Sequence, residues 1–136
     1  GRVRLDPDLS RLGPDAEEVG AEELAGRVGR GTAPVKARLL DQSVVAGVGN
    51  LLADETLWQA HLSPRRPAGE LRPDELVRLH DALHAATKAA IAHGGVHTGE
   101  IIEFRRAGAH CPRCGTEMTR ATVGGRTTWW CPQEQV

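Results

Sequence analysis

The chain has 136 residues, 17 Lys and Arg against 18 Asp and Glu for a formal net charge of -1, 40% apolar residues and 3% aromatics. That length suits one domain, or one small domain with a satellite module. No run approaches the ~18 consecutive apolar residues that a membrane helix needs, and no charged-then-apolar leader opens the chain, which argues against a membrane protein and a secreted precursor.

Residues 1–31 read as a linker and a short helix. Seven acidic side chains against five Arg give residues 1–32 a local balance of -2, and Asp-Pro, Gly-Pro-Asp and Gly-Arg-Gly-Thr punctuate them as loop. Leu9, Leu12, Val19, Leu24 and Val28 are the sizeable apolar positions, with a helix expected over Ala21 to Val28. Such a stretch cannot bury enough surface to fold alone, so it should pack on the next part of the chain or on a neighbour. Gly1, standing where Met would open a gene product, points to a processed or excised piece.

Residues 32–99 carry the strongest helical patterns. Thr32 as N-cap and Pro34 in the first turn precede Val35, Leu39, Leu40 and Val44 at helical spacing. Ala46-Gly47-Val48-Gly49-Asn50 breaks that pattern. A second helix is expected from Leu51 to about His61, with Leu51, Leu52, Thr56, Leu57 and Ala60 on one face and Asp54, Glu55 and Gln59 on the other. Pro64 and Pro67 end the segment. A longer helix spans Pro73 to His93, its stripe made by Leu76, Leu79, Leu83, Ala86, Ala90 and Ile91, with Gly94-Gly95 as the stop.

Residues 100–136 switch to extended pieces around 101–104, 118–123 and 127–130. Gly124-Gly125 marks a tight turn between the last two, because positive φ is sterically cheap only for Gly. The whole therefore reads as mostly α: a small helical bundle followed by a zinc-ribbon-like β-hairpin.

The hairpin carries all three Cys, an odd count that argues against a closed disulfide framework and for a reducing, intracellular compartment. Cys111-Pro-Arg-Cys114 followed by Cys131 is most of a Cys-x2-Cys…Cys-x2-Cys zinc site, in which metal supplies the folding free energy that so small a module lacks. Glu134 stands where the fourth Cys belongs. A Cys3Glu site, a Cys3His site using His110, and a metal-free hairpin are the alternatives. Ahead of it, the Gly-rich turn feeding the helix at Asn50 aims free N–H groups outward, which suits either an ordinary Asn cap or an anion such as a nucleic-acid phosphate.

Other polar candidates have structural explanations. His80 and His84 have metal-compatible i, i+4 spacing but no third ligand nearby. His93 and His97 flank the helix stop and suit its carbonyls. Trp129 and Trp130 alternate on a strand, so at least one should pack the hairpin on the bundle. Arg105 and Arg106 are either phosphate contacts or solvated surface.

Leu40-Asp41-Gln42, Ala46-Gly47-Val48-Gly49-Asn50 and Ala53-Asp54-Glu55, then a long helix, Cys-Pro-Arg-Cys-Gly-Thr and Val123-Gly-Gly-Arg126-Thr-Thr-Trp-Trp-Cys-Pro, resemble the C-terminal half of the formamidopyrimidine-DNA glycosylase and endonuclease VIII family. The resemblance implies a helix-two-turn-helix domain over 32–99 and a zinc-finger hairpin over 100–136, together holding damaged duplex DNA. It implies that Asn50 binds a backbone phosphate, that Arg126 enters the minor groove and contacts flanking phosphates, and that Lys36 is a DNA-binding residue near the active site. The metal ligands it suggests are Cys111, Cys114 and Cys131, with Glu134 in the fourth place around zinc. Family enzymes are bifunctional glycosylase and abasic-site lyases whose nucleophile is an N-terminal Pro, followed by Glu, on a separate β-sandwich domain. Neither is present in residues 1–136, and Arg11-Leu-Gly-Pro14 resembles only the linker leaving that domain.

This chain alone is therefore expected to bind rather than cut, either as half of a base-excision-repair enzyme for oxidised bases or abasic sites or as a naturally truncated, non-catalytic paralogue. The short stretch from Gly94 to Cys111 favours the endonuclease VIII-like branch. A ribosomal-type, RNA-binding helix-two-turn-helix is disfavoured by the cysteine hairpin. A monomer in the cytoplasm, nucleoid-associated, is the matching expectation. The positive balance falls on the two segments with DNA motifs, +1 over 33–66 and +2 over 101–136, so binding should be weak and salt-sensitive.

Overall fold

The structure, a computed structural model, describes residues 12–94 and 99–136. Leu9, Arg11, Gly95 and His97, singled out in the sequence, lie outside the described residues. Helix α1 spans Ala21–Val28, α2 Val35–Leu40, α3 Asn50–Ala60 and α4 Pro73–Ala92, with short 3-10 turns at Ala68–Glu70 and Ile102–Phe104. Strands β1 (Thr119–Val123) and β2 (Arg126–Trp130) form one antiparallel hairpin, Val123 facing Arg126 across the Gly124-Gly125 turn. The mostly α architecture with a terminal hairpin is the one the sequence predicts.

Two helix boundaries differ from expectation. The N-cap of α2 is Pro34, and Thr32 is exposed. The reason is tertiary: Val35 N–H donates to Arg66 O at 2.7 Å and Ala68 N–H to Ala33 O at 2.9 Å, which holds the chain extended up to Pro34. Helix α2 ends at Leu40, so Val44 reaches the core from the following loop. There the Asp41 carboxylate accepts the backbone N–H and hydroxyl of Ser43, an Asx-type turn that competes with helix continuation.

One core joins the four helices. Leu24 and Val28 of α1, Val35 and Leu39 of α2, Leu52 and Leu57 of α3, and Leu79 and Leu83 of α4 are all buried within it. Each such Leu removed from water contributes about 1.5–3 kcal/mol. The segment before α1 is stitched to the loop before α3 by Ala16 N–H to Ala46 O and Ala46 N–H to Pro14 O, both 2.9 Å. Gly13 is required at that seam, since a Cβ there would stand 2.5 Å from Val44 O. His80 and His84 both direct Nε2 at Val19 O, at 3.0 and 2.9 Å. Their rings thus tie α4 to the segment before α1 instead of forming a metal site.

Helix α4 starts where Arg72 N–H donates to Glu75 Oε1, so the Glu75 side chain at the third helical position caps the N-terminus from within the helix. Glu75, 3% exposed, also takes a two-pronged contact from Arg66 at 2.8 and 3.1 Å. A second apolar cluster of Trp58, Ile101, Ala109, Cys111, Met118 and Cys131 joins the far end of α3 to the hairpin. The chain end closes this side: Gln135, 3% exposed, accepts from Cys131 N–H and donates to Leu62 O. No helix among the described residues is long and apolar enough to cross a membrane.

Candidate nucleic-acid interface and thiol cluster

The hairpin tip rests on α2. Gly124, at φ +63, lies so close that a Cβ would meet Ala37 Cα at 3.0 Å. This contact brings the start of β2 beside both Lys36 and the Gly-rich turn that begins α3. Thr127 O then accepts from Asn50 Nδ2 at 3.0 Å, Arg105 Nη2 at 3.1 Å and Lys36 Nζ at 3.4 Å.

Asp54 ties this arrangement together from below. Its carboxylate, 2% exposed, pairs with Lys36 Nζ at 2.8 Å and Arg105 Nε at 2.8 Å, and accepts the Trp129 N–H at 3.2 Å. The next residue, Glu55, is 3% exposed and accepts Ile101 N–H at 2.8 Å and Gln59 Nε2 at 2.6 Å. The sequence pattern alone puts Asp54 and Glu55 on an outward polar face of the second helix. They are buried because β2 and residues 99–105 pack over that face, so α3 is enclosed nearly all round. A buried carboxylate is tolerable only with such partners.

Lys36 also departs from expectation. It is fully buried, its ammonium held by Asp54, by Thr128 Oγ1 at 2.6 Å and by Thr127 O, so no direct phosphate contact is open to it in this arrangement. Burial presses its pKa below the ordinary lysine value, Asp54 works the other way, and Arg105 and Arg126 add to the lowering. Asn50 is half-buried at the first turn of α3 and its Oδ1 lacks a partner. Arg126, at the start of β2, is exposed. The structure therefore brings Asn50, Lys36 and Arg126 to one region around Thr127. Sequence reasoning missed the organising role of Asp54: it stands past the first turn of α3 on what reads as an outward polar face, and its place in the Ala53-Asp54-Glu55 motif carries no hint of its partners.

At the other end of the hairpin, the Cys111, Cys114 and Cys131 sulfurs lie within 4.8 Å of one another, so three close thiols able to hold a metal are in place. Arg113 N–H points at Cys111 Sγ and Glu134 N–H at Cys131 Sγ, each at 3.4 Å, and Trp58 Nε1 donates to Cys111 Sγ at 3.4 Å. Such N–H donors favour thiolate over thiol, as metal ligation requires. Burial opposes ionisation of Cys111, but those donors outweigh it and its pKa falls below the usual thiol value. Burial and the neighbouring sulfurs push Cys131 up to about 11. The Glu134 carboxylate turns instead to Arg113 Nη1 and His61 Nδ1, both at 3.5 Å. Arg113 in turn stacks its guanidinium 3.7 Å over the Trp58 ring, which fixes the first Cys turn to α3.

Residues 12–101 match the family model described as formamidopyrimidine-DNA glycosylase H2TH domain. The chain belongs to this family. It is 38% identical to the formamidopyrimidine-DNA glycosylase of Parasynechococcus marenigrum, over 93% of this chain and 51% of that protein. With the enzyme of the same name from Nitratidesulfovibrio vulgaris it shares 40% identity over 98% of this chain and 40% of the relative. The chain thus spans about half the length of such relatives. Its fold matches the crystal structure of MutM (Fpg) from Thermus thermophilus with a TM-score of 0.85 and 36% identity, covering 99% of this chain and 57% of that one. Lactococcus lactis Fpg in complex with DNA containing an abasic site matches with a TM-score of 0.83 and 30% identity, over 96% and 54%. The region matched by the formamidopyrimidine-DNA glycosylase family model takes in all four helices and ends at Ile101, ahead of the hairpin.

Proposed function

We propose that this chain is the damaged-DNA-binding part of a base-excision-repair glycosylase and abasic-site lyase, taking duplex DNA with an oxidised base or an abasic site. The observation that carries this reading is the docking of β2 on the start of α3, which gathers the exposed Arg126 and the amide of Asn50 beside one carbonyl, Thr127 O. Arg suits two-pronged contact with a phosphate, and an Asn amide at a helix start adds a neutral donor beside the positive end of the helix dipole. Relatives solved with abasic-site and damaged DNA support the same partner. Lys36 takes part as the buried cation that fixes β2, and the division at 31/32 and 99/100 separates linker, helical part and hairpin.

Cys111, Cys114 and Cys131 would hold zinc, and the metal would supply folding free energy to the hairpin instead of chemistry on DNA. Glu134 would take the fourth place, and its carboxylate must leave Arg113 and His61 to reach it.

The test is fluorescence anisotropy of the zinc-supplemented chain on a duplex with one abasic site and on its undamaged counterpart, with borohydride trapping in parallel. Tighter binding to the abasic duplex, with no trapped adduct, is expected. Equal affinity for the two duplexes sinks damage recognition by this part. A trapped adduct would place a nucleophilic amine within residues 1–136 and overturn the division of labour.

A further inference from the structure

The cation beside Asn50 that the family resemblance would supply from Lys36 is shut away from solvent, yet a second cation stands on the open side of the same carbonyl. Arg105 follows the Ile102–Phe104 turn, and both carboxylates of α3 pin the segment that delivers it. Glu55 holds Ile101 N–H, and Gly99 passes so close to Glu55 that a Cβ would overlap its carboxylate. Asp54 holds Arg105 Nε. The guanidinium is therefore preorganised, with 12% of the side chain exposed. Its Nη2 and the Asn50 amide reach Thr127 O through exposed hydrogen bonds, whereas Lys36 Nζ reaches it from a fully buried side chain. Arg105 Nη1 has no protein acceptor among the described residues.

Resting on the DNA-binding reading above, we propose that Arg105 is a direct phosphodiester ligand acting with Asn50 and Arg126, and that Lys36 is a positioning residue behind them. A guanidinium anchored through Nε keeps its outer N–H groups for a second anion, a geometry that a lysine ammonium cannot reproduce. Three donors on one carbonyl exceed its two lone pairs, so a phosphate oxygen arriving beside Thr127 meets donors that are incompletely satisfied. The buried Asp54 carboxylate holds Arg105 in place before DNA arrives, which removes part of the ordering cost of binding.

The salt dependence of binding separates the two cations. Each phosphate neutralised contributes about 0.9 to the slope of log K against log salt concentration. Titrations of the zinc-supplemented chain, Arg105→Gln and Lys36→Met on an abasic duplex across a range of KCl should show the slope reduced by about 0.9 in Arg105→Gln and unchanged in Lys36→Met. An unchanged slope in Arg105→Gln overturns the proposal. Should Arg105→Gln lose its cooperative melt, the side-chain Nε–H resonance of Arg105 in the wild-type chain decides: displacement on adding duplex supports contact, and a resonance unmoved at saturation refutes it. Absence of wild-type binding at every salt concentration would instead strike the DNA-binding reading itself.

Discussion

Asp54 links parts of the chain that are distant in sequence: one carboxylate touches α2 through Lys36, the 99–105 segment through Arg105 and β2 through the Trp129 amide. Glu75 does comparable work at the start of α4, where hydrogen bonding to Arg66 is the largest influence lowering its pKa and burial opposes it. A carboxyl whose folded pKa is depressed stabilises the protein above the ordinary glutamate value, and that stability is lost as pH falls through the depressed value. Glu75→Gln should therefore cost about 1–2 kcal/mol near neutrality, with the gap to wild type closing on acidification through the carboxylate range. Urea denaturation at a series of pH values checks this; a gap constant with pH would mean that the Arg66 contact contributes nothing ionic. Neither carboxylate's role was legible in the sequence. The sequence offers Lys36 as a DNA contact through the resemblance, Asp54 as part of an outward polar face and Arg105 as a phosphate contact or solvated surface, and no local pattern announces an ion pair between remote positions.

Elements were more readable where a single buried face governs them. Helix α1 has the bounds that its apolar spacing predicts, and α4 ends within a residue of expectation, because each lays one stripe on the core. Helix α3 breaks that premise: it is covered on both sides, and an amphipathic reading assigns its polar residues outward by construction. The hairpin turn was legible from Gly124-Gly125, but its seat on Ala37 was not, since chain-distant backbone approach leaves no mark beyond the glycine itself. Both glycines have positive φ, and only Gly124 faces a neighbour within 4 Å. Replacement by Ala should cost about 1–2 kcal/mol at either site from the left-handed backbone, and more at Gly124, where Ala37 must also give way. Equal losses in thermal melts of the two variants would show that the hairpin seat yields freely.

Across the molecule, two apolar clusters meet along α3, one shared by the four helices and one shared by the hairpin and the thiols. The second is small and leans on Cys111 and Cys131, so removal of a bound metal should act on it first. After chelation, hydrogen exchange should show amides of residues 109–131 losing protection while α1 and α4 keep theirs. Loss of protection in all four helices together would mean that the two clusters fold as one unit. The general plan of helices followed by a metal-type hairpin was visible in the motifs and their order. How the two parts lock together was not, because the lock consists of buried charges, glycine contacts and carbonyl acceptors drawn from four separate stretches of chain.

The placement of Trp58 in the second cluster has a spectroscopic corollary. The protein has three Trp and no Tyr; Trp58 lies beside Cys111, Trp129 packs against the same cluster, and Trp130 is buried on β2 beneath the Arg65 guanidinium. Every strong fluorophore is thus on the hairpin side, and none lies in the core shared by the four helices. Intrinsic emission reports undocking of the hairpin, far-ultraviolet circular dichroism reports the helices, and the unlabelled protein already carries separate optical gauges for its two halves.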